Sequence, residues 1–161
     1  MLVKKLQSYI PLPYAFNIKN TTHLIKDLTD IPYSSKLKLA SFDIANMYTN
    51  IPTNELLTII DMTCQNNYVD ENMKKNIIKL SKTVIDQNYF QFQDLTYIQS
   101  EGLAMGAPTS SVLPEFYLQY LENFKIYSLL LDHNVEGYFR YVHDILIVYN
   151  ENNTNIATLL D

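Results

Sequence analysis

The apolar and polar positions of this chain change period several times, and each change marks an element. Over residues 20–31, NTTHLIKDLTDI, Leu24, Ile25, Leu28 and Ile31 recur at helical spacing behind Asn and Thr as capping candidates, which predicts a short helix. Pro32-Tyr33-Ser34-Ser35 breaks it. Residues 37–44, LKLASFDI, then alternate, with Leu37, Leu39 and Ser41 on one face and Lys38, Ala40 and Phe42 on the other: a strand with Asp43 near its end.

Pro52 and Thr53 open a helix capped by Thr53 or Asn54, with Glu55 in its first turn and Leu56, Ile59, Ile60 and Thr63 on one face. Asp70 caps a second helix, whose inward face is Met73, Ile77, Leu80 and Val84. YFQFQ and LTYIQ, pivoting on Asp94, predict a small hairpin, and the loop EGLAMGAPTSS follows it. A strongly apolar helix begins at Ser110 or Ser111, tolerates Pro114 in its first turn, and places Leu113, Tyr117, Tyr120, Leu121, Phe124 and Leu129 on one face. The last element is the hairpin GYFRYVHDILIVYN, residues 137–150, followed by a polar tail. The order α, β, α, α, ββ, α, ββ predicts an α+β fold with helices packed on one face of an antiparallel sheet.

Composition and charge narrow this picture further. A chain of 161 residues with 47% hydrophobic positions is the size of one domain and can bury a core. No window is apolar enough for a membrane span, and the N-terminal MLVKKLQSYIPLPY has neither the long apolar run nor the cleavage site of a signal peptide. The single cysteine, Cys64, excludes an internal disulfide and suits a reducing, intracellular compartment as a small apolar residue on a helix. A net charge of -5 argues against a surface that grips nucleic acid by itself. Lys74, Lys75, Lys79 and Lys82 form the densest basic cluster, either a solvated helix face or a phosphate contact.

The candidate chemistry lies in the last hairpin. Tight hairpins favour Asn-Gly or Asp-Gly at the turn, so a His143-Asp144 tip is a poor conformational choice and points to function. The flanking strands, apolar on both faces, predict a central hairpin that pushes this tip into a cleft. A carboxylate ending one strand, Asp43, and another on a neighbouring hairpin, Asp144, can converge on one point, as hard divalent cations require. Each also has an ordinary reading, Asp43 as a strand-ending residue and Asp144 as a turn residue. His23 and His133 have no spacing that adds a second imidazole ligand.

Three segments, SFDIANMYTNIPT, EGLAMGAPTSSVLPEFYLQYLE and FRYVHDILIVY, occur in this order and together resemble the palm of a reverse transcriptase, an RNA-directed DNA polymerase. The resemblance is nearest to the Penelope-like retroelements, related to telomerase, where a tyrosine and Thr-Asn-Ile-Pro follow the first acidic motif. It implies a single partial domain over residues 1–161, with the palm at about 36–150, a lead-in from the fingers side at 1–35, and a polar tail at 151–161. The basic fingers and the thumb would then lie outside most of this chain, which accounts for part of the acidic balance.

By the same resemblance Asp43 matches the metal-binding aspartate of the first motif, Ile44 offers a carbonyl toward a second metal, and Tyr48 matches the bulky residue that excludes a 2′-hydroxyl. Gly102, Met105, Gly106, Ala107 and Pro108 match the loop under the incoming nucleotide, where glycine permits close backbone approach. Implied partners are an RNA template, a DNA primer and deoxynucleoside triphosphates, with two Mg²⁺ ions (or Mn²⁺) as cofactors and a nuclear setting for an active enzyme. One position departs from the pattern. Where the family has Tyr-x-Asp-Asp, this chain has Tyr141-Val142-His143-Asp144, so His143 stands in place of a metal-bridging aspartate. Losing that ligand would cost about 3 to 5 kcal/mol in the transition state, or two to four decades in rate. A noncatalytic palm-like module that binds nucleic acid or protein is the reading from another class, and a small metal-dependent phosphohydrolase is a third.

Overall fold

In the computed structural model, which describes residues 2–12 and 16–159, the elements run in chain order α1 (Leu2–Tyr9), α2 (Thr21–Thr29), β1 (Leu37–Asp43), α3 (Met47–Asn50), α4 (Thr53–Asn66), α5 (Glu71–Asp86), β2 (Tyr89–Phe92), β3 (Leu95–Ile98), α6 (Leu113–Leu121), a π-helical turn (Glu122–Ile126), α7 (Tyr127–Asp132), β4 (Val135–Tyr141) and β5 (Asp144–Asn150). The fold is α+β with antiparallel sheets, as the pattern predicts. The chain divides into two compact units, Met1–Pro13 with Asn46–Tyr120 and Tyr14–Ala45 with Leu121–Asp161.

The first unit is built on helices. The Asp70 carboxylate accepts from the N–H groups of Asn72 and Met73, satisfying two of the donors that a helix start leaves open. From that cap α5 buries Ile77, Ser81 and Ile85, while Met73, Leu80 and Val84 are only half-buried, so the inward stripe lies one step round from the predicted one. It packs against α4 and α1. Helix α4 buries Leu56, Ile59, Ile60 and Cys64, each apolar side chain contributing roughly 1.5–3 kcal/mol by leaving water. Its N-cap is Pro52, without a side-chain cap bond, rather than the predicted Thr53 or Asn54. Proline fixes φ just before the first turn and brings no N–H of its own, but it offers no side-chain acceptor to the N–H groups of that turn. In the lysine cluster Lys75, Lys79 and Lys82 are exposed, while Lys74 is largely covered; Lys74 reaches Asp61 and Glu71, and Lys82 reaches Asp86.

Cys64 is fully buried, and desolvation, followed by the charge of Asp61, pushes its thiol up to about 11. Thiolate is then scarce at pH 8, and the folded chain should resist a thiol reagent there until it unfolds. Labelling in native buffer and in urea measures this, with fast native labelling as the contrary result. Because the folded thiol keeps a proton that the unfolded one releases near pH 9, this group's contribution is present below that pH and is lost as pH rises toward 11.

In β2–β3 the register runs from Tyr89↔Ile98 to Phe92↔Leu95, and the two connecting residues, Gln93 and Asp94, have φ of 49° and 62°. Two positive φ values are those of a type I′ turn, whose twist matches the strands. All eight strand residues are exposed, and Phe90 stacks on Tyr97 across the pair with centroids 5.5 Å apart. Helix α6 starts at Leu113, not at Ser110 or Ser111, because Ser110 closes a turn on the Ala104 and Ala107 carbonyls. Helix α6 buries Leu113, Pro114, Glu115, Phe116, Leu118 and Gln119, while Tyr117, Tyr120 and Leu121, predicted inward, are half-buried.

The second unit is a sheet of order β1-β5-β4, antiparallel throughout, with Ile147 and Val148 of the central β5 buried. Asn17 adds a parallel bridge to Arg140 on the outer side of β4. In the π-helical turn and α7 the buried residues are Glu122 and Leu130, whereas Phe124 and Leu129, predicted inward, are exposed. A π-turn carries one extra residue per turn, so an α-helical period laid through it drifts out of phase. The polar tail is anchored near its start, where the buried Thr154 hydroxyl donates to the carbonyls of His133 and Asn134. No helix among the described residues is long and apolar enough to cross a membrane.

Candidate functional site

The β1–β5 register sets the site. It pairs Leu37 with Asn150 at one end and Asp43 with Asp144 at the other, so two carboxylates face each other across the last rung of the ladder. Like charges directly opposite in a sheet repel, and nothing in the packing of a strand end demands that pair. His143 stands beside both, its Nδ1 3.6 Å from an Asp144 oxygen and 4.0 Å from an Asp43 oxygen. Ligand atoms of the three residues lie within 4.8 Å of one another, and the side chains are 48–65% exposed, open to an approaching ion or ligand.

The turn differs from the predicted one by a residue. Its two central positions are Val142 and His143, while Asp144 is the first residue of β5 and pairs with Tyr141. The conformational anomaly therefore falls on Val142, at φ 56°, and Asp144 is a strand residue with ordinary geometry. The tip, Tyr141 to Asp144, is exposed. Ile44 extends the ladder beyond Asp43 by donating its N–H to the His143 carbonyl at 3.0 Å.

The other predicted site residues belong to the first unit. Tyr48 is half-buried in α3, and its carbonyl accepts from the Leu103 N–H at 2.8 Å. That bond draws the 101–109 loop onto α3, and it needs Gly102. At φ 73° a Cβ on Gly102 would stand 2.5 Å from the Tyr48 carbonyl oxygen and from Thr49 Cα. Gly106, at φ 82°, has nothing within 4 Å of its would-be Cβ, and Met105 beside it is 75% exposed. The backbone over Gly106, with Ala107 half-buried and Pro108 exposed, is thus approachable. An open polar cleft of about 450 Å³ borders Thr49 to Asn54 and Ser100 to Gly102. His23 and His133 lie elsewhere: His23 is in α2 beside Asp27, and His133 ends α7.

Two residues of the site escaped the sequence reading. Arg140, the only arginine in the chain, is fully buried in β4, and Glu122 is buried in the π-helical turn. Arg140 Nε and Nη2 donate to the two Glu122 carboxylate oxygens at 2.5 and 3.1 Å. The Tyr138 hydroxyl also donates to Glu122 at 3.3 Å; burial first, and then the Glu122 charge, holds that phenol well above the usual tyrosine range. The available signal was an arginine inside the otherwise apolar run YFRYV, residues 138–142.

No protein-family model and no curated protein matches this chain. Among solved structures it is similar to apo telomerase from Candida tropicalis truncated from the C-terminal domain, with a TM-score of 0.68 and 14% identity over 99% of this chain. It is also similar to telomerase from Candida albicans in complex with a TWJ fragment of telomeric RNA, with a TM-score of 0.66 and 15% identity, again over 99% of this chain. The chain spans 34% and 30% of those two chains, so the likeness is one of fold over about a third of each.

Proposed function

We propose that this chain is the palm part of an RNA-directed DNA polymerase of a retrotransposon, nearest the Penelope-like group, with nucleotidyl transfer impaired at residue 143. The observation that carries this reading is the facing of Asp43 and Asp144 on the last rung of β1–β5, at a tight turn in a reverse-transcriptase-like fold. In that reaction a primer 3′-hydroxyl attacks the α-phosphorus of a deoxynucleoside triphosphate and pyrophosphate leaves, on an RNA template. Tyr48 would exclude a 2′-hydroxyl, and Met105 to Pro108 would lie under the incoming nucleotide.

The donor set does not fit a pair of Mg²⁺ ions. Two exposed carboxylates suit a hard cation, but the third donor is an imidazole nitrogen, which favours Zn²⁺ or other later transition metals. His143 also removes a negative charge from beside the cation. The reading therefore predicts that His143→Asp, in a chain carrying intact fingers and thumb, extends a DNA primer on RNA with Mg²⁺ or Mn²⁺ at least about 100-fold faster than its parent. Equal extension by both would show that residue 143 does not limit the reaction.

Silence from both chains would favour the noncatalytic palm-like module, which His143 at a position where the family pattern has an aspartate also supports. That module binds its nucleic-acid or protein partner equally well in chelator and in Mg²⁺. A binding assay under the two conditions separates the readings.

A further inference from the structure

Val142 occupies the left-handed region at φ 56°, which a β-branched side chain avoids. In a two-residue hairpin turn with positive φ at the first central position, that place normally goes to glycine. Strain of this kind persists only where the surroundings over-determine it. Here they do so from two sides. Arg140 Nη1 donates to the Val142 carbonyl at 2.9 Å, and the next carbonyl, of His143, accepts from the Ile44 N–H at 3.0 Å. The guanidinium itself is fixed, because its other two nitrogens are held by Glu122.

We infer that Arg140, oriented by Glu122, is a clasp that holds the Val142–His143 turn in its strained form and so sets where His143 and Asp144 stand relative to Asp43. Three donors in one rigid plane are what the task needs: two grip the carboxylate and the third reaches the turn. Lysine, a single point of charge on a flexible stem, cannot do both. The clasp rests on geometry alone. Only the description of Arg140 as a positioning residue for nucleotidyl transfer rests on the proposed function.

Amide hydrogen exchange of Ile44 in the full chain reads the clasp directly, because its N–H is bonded to the turn. In Glu122→Leu with Arg140→Met, an apolar pair replaces the ion pair and the fold is kept. Ile44 exchange should then rise about tenfold or more, while amides in the middle of β1 and β5 keep their protection. Adding Val142→Gly relaxes the turn and should return Ile44 to within about threefold of the parent. Unchanged Ile44 exchange in the apolar pair, or no recovery on adding glycine, would overturn the inference. If the apolar pair fails to fold, Val142→Gly alone decides: a raised melting temperature supports a strained turn held by the clasp, and a lowered one refutes it. None of these measurements involves metal or nucleic acid. A chain that never extends a primer leaves the clasp standing, and a failed exchange result leaves the polymerase reading standing.

Discussion

Replacing Glu122 alone by leucine should lower the melting temperature by about 6–20 °C. The Arg140 guanidinium is fully buried, and the substitution takes the acceptors from its Nε and Nη2 and from the Tyr138 hydroxyl together. Breaking one side of a buried ion pair costs about 3–5 kcal/mol, because the remaining charge stays out of water without compensation. At roughly 2–4 °C per kcal/mol for a chain of this size, that loss takes a large share of a total stability of about 5–15 kcal/mol. Circular dichroism melts of Glu122→Leu beside Glu122→Leu/Arg140→Met test the argument. The double variant should melt within a few degrees of the parent, since it removes the stranded charge. A single variant as stable as the parent would mean that water reaches the guanidinium.

Gly102→Ala should be the most damaging methyl in the chain. Its Cβ would lie 2.5–2.6 Å from three backbone atoms of Tyr48 and Thr49, and backbone cannot swing aside as a side-chain tip can. The alanine would also hold φ 73° at a cost of about 1–2 kcal/mol. Overpacking adds about 1–3 kcal/mol or more, and relief requires α3 and the loop to part, which breaks the Leu103 to Tyr48 bond. Gly106→Ala supplies the control. It has a similar φ, 82°, with open space around it, so only the backbone penalty of about 1–2 kcal/mol remains. Urea midpoints for the two variants should therefore differ by more than twofold in lost stability. Equal losses would show that the contact at Gly102 relaxes freely.

Elements with a strong local signal were legible before any coordinates. Strand β1 ending on Asp43, the β2–β3 and β4–β5 hairpins and the Asp70 cap each depend on periodicity or on one side chain's own chemistry. Helix α1 was not legible. Its buried Leu2 and Leu6 stand in a short run with two lysines between them, and α5 supplies the partner that makes them a core face. Helix α3 is a single turn, too short to show a period. The turn in β4–β5 was misplaced by one residue because no glycine or asparagine marks it, and tertiary bonds hold what local preference would reject. The Glu122–Arg140 pair spans 18 residues and two kinds of element, so no window contains its logic. Of the candidate site, the residue types were readable, while the support beneath them was not.

The β2–β3 ribbon bears on how copies of this chain behave toward one another. Both strands are sheet edges, and Tyr89, Phe90, Phe92, Leu95, Tyr97 and Ile98 are all 42–63% exposed. Unpaired edges with apolar faces attract their like, whereas a net charge of -5 keeps molecules apart. The two tendencies respond differently to electrolyte. At physiological ionic strength the repulsion already fades over about 8 Å, and added salt shortens that reach while leaving the ribbon's attraction intact. The colloidal stability of the isolated chain is thus greatest in dilute buffer, and its weak point is eight residues that no other part of their own unit covers.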